Sequence, residues 1–400
     1  MSIADLEVDL TSEELAVVQS VHRFAEEVVR PIGRELDLLT PEQVVADGSP
    51  LWTVFERYRE LGIDDLRTGA AAGNLSPDQS ARLQCMVGET LGWGDAGLAI
   101  SLGVSTFPRA MATLSGNPEL IERFGDPAGI GCWPITEPDH GSDLIYFGGN
   151  LAEMPGRPNC IARKDGEDFV ITGNKAAWVS NGTIATAAAL FCAVDFGDGE
   201  LKGLAGFLVP LDEPGVSRGK PLDKLGQRAL NQGEIFFEEV RVPAHYLVIH
   251  PDMAAFSQDM VLSIANGGMG TTFVGLAQAA LDLAVDYAKE RVQGGGTIFR
   301  HQSVRARLFE MYRKVEAARA LNRRTIRLNA SMAPRLQMAI ASKVTSTQVA
   351  FEVASEALQI FGGNGLSREY PIEKLLRDAR ASMIEDGCNH VLSLVGAERL

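Results

Sequence analysis

The hydrophobic pattern changes period twice along this chain of 400 residues, and those two switches constrain its fold more than any other feature. Up to about Gly125 the apolar residues recur at three- and four-residue spacing. Leu15, Val18, Val21, Phe24, Ala25 and Val28 would form one buried stripe of a helix capped by Thr11 or Ser12. Pro31 should end that helix, because proline disfavours helical geometry at the residue before it. His22 falls on or beside the stripe and reads as a structural histidine. Further helical patterns run from Leu51 to Leu61 and from Ser76 to Gly92, with an alanine- and glycine-rich loop at Thr68 to Asn74 between them. From Gly125 to Pro243, glycine and proline punctuate short apolar runs, DFVITG, AAALFCAV, LAGFLVP and GEIFFEEVRVP, which suit strands bounded by turns. Residues Leu144 to Cys160 lack periodicity and read as a long surface loop over the site. Helical spacing then returns. The run from Gly275 to Arg291 is amphipathic and stops at Gly294-Gly295-Gly296. Val304, Leu308, Met311 and Val315 form a stripe, and Leu336 to Ile360 make another long helix. The expected fold is mainly α with a central β domain: helices over 1–125, a β-barrel or sheet over 126–243, and a helix bundle over 244–400.

Charge and cysteine usage narrow the functional classes. A net charge of −15 argues against nucleic acid, whose phosphates demand a clustered cationic surface. Five cysteines without CxxC spacing support neither a zinc site nor a disulfide framework, and the histidines show no metal-ligand spacing, so no metal is expected. The start MSIADLEVDL has no targeting pattern, and no run reaches the ~20 apolar residues of a membrane span. A cytoplasmic, non-membrane protein is expected. Neither GxGxxG after a strand nor Gx4GK[ST] occurs, which removes the Rossmann and P-loop nucleotide sites.

Chemistry-bearing residues gather in a few segments. Leu358 to His390 holds a glycine turn, Gly362-Gly363-Asn364-Gly365, suited to close approach of a phosphate or sugar, then Arg377-Asp378, then Glu385-Asp386-Gly387. Trp133-Pro-Ile-Thr-Glu-Pro-Asp-His-Gly-Ser-Asp143 offers an aromatic wall with hydroxyl and backbone donors, the environment a flavin ring asks for. Gly173-Asn-Lys-Ala-Ala-Trp-Val-Ser-Asn-Gly182 and Lys224-Leu-Gly-Gln-Arg-Ala229 follow.

These segments, in this order, resemble the signatures of the acyl-CoA dehydrogenase family: TEPxxGSD, GxKxWITNG, MGxR, QILGGNG, EYP, LxRDA and the EGT-like tripeptide that carries the catalytic base. The resemblance covers nearly the whole chain. It implies an N-terminal helical domain, a middle β domain and a C-terminal four-helix bundle, assembled as a homodimer or homotetramer. It also implies FAD as cofactor, an acyl-CoA as substrate and an electron-transfer flavoprotein as electron acceptor. Carried over residue by residue, Trp133, Ile135, Thr136, Ser142, Trp178 and Ser180 would hold the flavin ring. Arg291, Gln302, Gln359 and Gly363 would reach the FAD of a neighbouring subunit, although Gly294 stands where the family usually has an aromatic. Arg228 reads as mainly structural.

The base position departs from the family. Asp386 occupies it in the tripeptide Asp386-Gly387-Cys388, one methylene shorter than the usual glutamate, and Glu385 stands where tyrosine is common. Ala265 occupies the position of an alternative base used by some members, and Asn266 stands where many members have arginine. Asp386 is therefore the candidate base, with Glu385 beside it as a second candidate, for α,β-dehydrogenation of an acyl-CoA thioester. His390, four residues on, reads as a surface or capping residue. The shortened carboxylate leaves open a different reaction on the same fold, such as cyclic acyl-CoA dehydrogenation at another carbon, desulfination or nitroalkane-type oxidation, or a non-catalytic FAD-binding subunit of a hetero-oligomer.

Overall fold

The structure, a computed structural model, describes residues 9–63, 75–146, 156, 158–331 and 334–400. Helix α1, Ser12–Phe24, starts at Thr11, whose side chain accepts from the Glu14 amide while the Glu14 carboxylate returns to the Thr11 amide. This reciprocal cap satisfies two backbone donors. Val18, Val21, Phe24 and Ala25 are buried as expected. Leu15 corrects the expected stripe: it is 37% exposed, because Glu14 takes the inward position and meets Arg82 Nη2 at 2.5 Å.

Pro31 does not stop the chain either. A π-helical turn, Ala25–Val29, leads directly into α2, Arg30–Asp37. The Arg30 amide reaches back five residues to Ala25 O, and this widened turn admits a proline where an ordinary helix would clash and lose a donor. Helices α3 (Pro41–Val45), α4 (Pro50–Glu60), α5 (Pro77–Gly94), α6 (Ala96–Ser105), α7 (Phe107–Ser115) and α8 (Pro118–Phe124) complete the first part. The loop expected at Thr68 to Asn74 lies outside the described residues.

Strands β1 (Gly131–Cys132), β2 (Ile161–Asp165), β3 (Asp168–Ser180), β4 (Ala187–Asp195), β5 (Leu201–Pro210), β6 (Val216–Arg218), β7 (Gln232–Pro243) and β8 (Leu247–Ile249) form one mixed sheet. Its order is β6-β7-β3-β2-β4-β5-β8, with β1 added on β4. The β2–β4 and β1–β4 pairs are parallel and the others antiparallel. Strand β4 is buried along almost its whole length, which explains its unbroken apolar run AAALFCAV. The segment expected as a long surface loop begins instead with a helical turn, α9 (Asp143–Tyr146), whose Leu144 and Ile145 are buried. Residues 147–155 and 157 lie outside the described residues.

The last part is built on α10 (Ala254–Glu290), α11 (Gln302–Ser331), α12 (Leu336–Phe361) and α13 (Ile372–Ser382), a four-helix bundle followed by α14 (Asn389–Ala397). Phe273, Leu276 and Ala280 of α10 share one core with Val353 and Ala357 of α12. Gly275 lets α10 press against α5: a Cβ there would lie 2.0 Å from Glu89 O. The segment Pro251–Glu290 is long and apolar enough, by length and composition alone, to cross a membrane. That corrects the expectation that no run would reach this length. Its apolar window is 72% buried, so its side chains are used in packing the bundle core.

Arg377 and Asp378, read as chemistry-bearing, lock elements together. Arg377 forks onto Asp37 at 3.0 and 2.6 Å, joining α13 to α2. Arg228 donates to Asp37 O and Leu39 O, each at 2.9 Å, so its role is structural.

Candidate active site

Between α13 and α14 the chain makes an irregular turn that carries Asp386. Asp386 has φ 49° and Gly387 φ 89°. Aspartate is among the few residues that visit this left-handed region readily. Gly387 has no alternative, since a Cβ would lie 2.8 Å from Leu392 Cδ2 and 3.0 Å from Ile145 Cδ1. Three bonds hold the turn: Asn389 N to Met383 O at 3.0 Å, Cys388 N to Ser142 Oγ at 3.2 Å, and Lys343 Nζ to Gly387 O at 2.9 Å. The Ser142 bond fastens it directly to the TEPDHGSD segment.

That segment is itself rigidly held. Glu137 is buried beside Lys175, 2.6 Å away, and accepts from the amides of Asn159 and Cys160. His140 Nδ1 lies 2.7 Å from Asp143 Oδ2. Trp178 and Ser180 come from β3, where pairing with β7 shifts register between Lys175 and Val179. Such an irregularity re-aims side chains next to functional sites.

The two segments and the turn carrying Asp386 enclose one cavity of about 550 Å³. Trp133, Ile135, Thr136, Ser142, Trp178 and Ser180 all line it, and so do Glu385 and Asp386. The structure thus brings together every residue expected at the flavin ring and both carboxyl candidates. Arg291, Gln302, Gln359 and Gly363 do not line this cavity and are exposed. They sit at one end of the bundle, where Tyr287 stacks on Phe361 at 4.0 Å and ties the end of α10 to the end of α12. His390 is exposed on the first turn of α14.

Other lining residues were not singled out from the sequence. Ile100 and Val104 on α6, Leu262 on α10 and Ile384 add apolar wall, and nothing distinguishes them from core residues in the sequence. Lys224 and Gln227 lie in the KLGQRA turn, which reads as structural. Gln227 has φ 51°, and its side chain donates to Glu385 Oε1 and to Asp378 O. The steric demand for the glycine before it is visible only in three dimensions: a Cβ on Gly226 would lie 2.3 Å from Arg377 O.

The electrostatics separate the two carboxyls. Burial raises the Asp386 carboxyl above the ordinary aspartate range, and the charge of Lys343 opposes that rise. Burial, and then the charge of Asp386, push Glu385 up to about 7 against the pull of Lys224, Lys343 and the Gln227 bond. Burial lowers Lys224 to about 8, opposed by Glu385 and Asp378.

The raised Glu385 value has a sign that can be checked. Folded protein keeps this proton in the window from about 4.5 to about 7, where the unfolded chain has released it. Stability therefore falls as pH rises through that window. Glu385→Gln removes the dependence, so thermal melts should show its advantage over wild type growing between about pH 5 and pH 7.5. A constant offset between the two proteins at both pH values would contradict this assignment.

With this geometry in view, comparison with known proteins is direct. Residues 132–240 match the family described as acyl-CoA dehydrogenase, middle domain, and residues 260–400 match acyl-CoA dehydrogenase, C-terminal domain. The chain belongs to the acyl-CoA dehydrogenase family. It is 29% identical over 399 residues to the mitochondrial short-chain specific acyl-CoA dehydrogenase of Homo sapiens, covering 98% of this chain and 91% of that one. It is 27% identical to cyclohexane-1-carbonyl-CoA dehydrogenase of Geobacter metallireducens, over 98% of each chain. The solved butyryl-CoA dehydrogenase from Megasphaera elsdenii superposes with a TM-score of 0.85 at 27% identity, covering 98% and 99% of the two chains.

Acyl-CoA dehydrogenases are oxidoreductases of CH–CH donors with FAD as cofactor. The residues present fit that group. The buried Trp133 indole nitrogen, on the cavity wall, has no hydrogen-bond partner among the described residues. Trp178, also on the wall, is 61% exposed. An orphaned donor and a bare aromatic face are what a wall shows when it is shaped for a planar heteroaromatic ring.

Proposed function

We propose that this acyl-CoA dehydrogenase catalyses α,β-dehydrogenation of an acyl-CoA thioester, with Asp386 as the base. The observation that carries the reading is the placement of Asp386 on the cavity wall shared by Trp133, Thr136, Trp178 and Ser180. A carboxylate Oδ of Asp386 takes the proton from the carbon next to the thioester carbonyl. FAD, when bound, accepts the hydride that leaves the β-carbon. The substrate so loses one proton and one hydride and gains a carbon–carbon double bond.

Each wall has a task in this scheme. Trp133, Trp178 and Ile135 give the flavin ring its apolar contacts, and Thr136, Ser142 and Ser180 give it hydroxyl groups. Ile100, Val104, Leu262 and Ile384 receive the acyl chain and exclude water, which strengthens the charge interactions at Asp386. Glu385 is the weaker candidate for the base because Gln227 already occupies one of its oxygens. Ala265 carries no carboxylate, so the alternative base position is vacant of chemistry.

Arg291, Gln302, Gln359 and Gly363 serve the FAD of a partner subunit in this reading, since they lie exposed and off the cavity of their own chain. A monomeric fraction that retains its full complement of FAD would contradict that shared site. An electron-transfer flavoprotein takes the electrons onward, and the protein works in the cytoplasm.

Anaerobic mixing with a panel of straight, branched and cyclic acyl-CoAs tests the reaction. At least one should bleach the flavin absorbance. No bleaching by any of them, with FAD bound, would favour a different reaction on this fold or a non-catalytic subunit.

A further inference from the structure

Lys343 lies in the first third of α12 and is 0% exposed. A fully buried ammonium costs several kcal/mol of lost hydration, so its neighbours must compensate it. Its Nζ donates to Gly387 O at 2.9 Å and to Asn389 Oδ1 at 2.8 Å. Asn389 Nδ2 in turn donates to Thr347 Oγ1 at 3.0 Å, and Thr347 Oγ1 to Lys343 O at 2.9 Å. Both direct partners are neutral acceptors. Among the described residues no carboxylate stands at ion-pair distance from Lys343, so its charge remains undischarged beneath the turn that carries Asp386.

We propose that Lys343 is a positioning residue for proton abstraction: it ties down the Glu385-Asp386-Gly387 turn and places beneath it the positive charge that keeps the Asp386 carboxyl ionised. The inference rests on the reading of Asp386 as the base. Two effects compete at that carboxyl. Removal from water favours its protonated form, which cannot act as a base, and the Lys343 charge favours the ionised form. The groups that face Lys343 are Asp386, Glu385 and the Cys388 thiol, and all three favour its charged form against burial, which brings it down to about 8. Glu385 faces Asp386, Lys224 and Lys343, so its own ionisation opposes that of Asp386. In this set Lys343 is the one cation that acts directly on Asp386.

The sign of the test follows. Without the lysine charge the Asp386 carboxyl titrates higher, and the acid limb of the rate profile moves to higher pH. Lys343→Gln keeps a donor for Gly387 O but removes the charge, and Lys343→Arg keeps the charge. The rate of anaerobic flavin bleaching by the best acyl-CoA is measured against pH for FAD-loaded wild type and both variants. The glutamine variant should show its acid-limb midpoint raised by about one unit or more, and the arginine variant should keep the wild-type midpoint at a reduced rate. In the glutamine variant, a rate lowered by the same factor at every pH, with the midpoint unmoved, would reduce Lys343 to a structural residue and overturn the proposal. If the glutamine variant does not take up FAD, Lys343→Met, also neutral and of similar length, decides: a raised midpoint supports the charge role and an unmoved one contradicts it. Asp386→Asn is run alongside, because bleaching by that variant would sink the base assignment itself, whatever Lys343 does.

Discussion

Asp386→Asn should leave a yellow, folded, FAD-loaded protein that acyl-CoA no longer bleaches at a useful rate. General base catalysis by one positioned side chain is worth about 10²–10⁴-fold, and the asparagine amide cannot accept the proton. The substitution is close to isosteric, and among the described residues no hydrogen bond or ion pair of the fold depends on the Asp386 carboxylate; the turn is held through Lys343, Ser142 and Asn389. Folding and FAD content should therefore match wild type, which separates lost chemistry from lost structure. Single-turnover bleaching in a stopped-flow instrument measures it. A variant within a few-fold of wild type would remove Asp386 from the reaction and turn attention to Glu385.

Lys374→Met should be the most damaging substitution to the fold. Lys374 Nζ lies between Asp95 Oδ2 at 2.5 Å and Asp378 Oδ2 at 2.6 Å, and both carboxylates are buried, at 2% and 0% exposure. Burial disfavours the lysine charge, yet the two aspartates outweigh it and hold the ammonium firmly protonated. Removing the cation leaves two like charges facing each other away from water. Losing one partner of a buried pair costs about 3–5 kcal/mol, and here the loss spreads. Asp95 also caps α6 by accepting from Leu98 N at 2.9 Å, and Asp378 accepts from the Gln227 amide on the cavity wall. The thermal midpoint should fall sharply, and adding Asp378→Asn to Lys374→Met should restore part of it, because the double variant no longer buries two uncompensated charges. A single variant as stable as wild type would show that these charges are better hydrated than their burial indicates.

Some of this was legible in the sequence, for reasons that follow from chemistry. Strand β4 stood out because a strand buried on both faces reads as one apolar run, and α1 because Thr11 and Glu14 form a cap recognisable from their spacing. The shared placement of Trp133, Thr136, Trp178, Ser180 and Asp386 on one cavity was legible because each lies in a short segment whose order along the chain survives folding. Leu15 was misplaced because the sequence does not reveal that Glu14 would find a half-buried arginine 68 residues away in α5. Pro31 misled because a π-turn costs nothing in composition and leaves no signature. Lys343 and Lys374 look like surface residues in any pattern of polarity, and only the acceptors around them, all distant in sequence except Asp378, explain their burial. Ile100, Val104 and Leu262 are ordinary core-type residues that happen to face a cavity.

The central claim is that the Asp386 carboxylate and bound FAD take a proton and a hydride from adjacent carbons of an acyl thioester. Acyl-CoA carrying deuterium at both the α- and β-carbons tests it most directly. The account predicts a product that has lost one deuterium from each carbon, formed with slowed flavin bleaching, and no product from Asp386→Asn. Bleaching with deuterium retained at the α-carbon, or a product of unchanged hydrogen content, would contradict it.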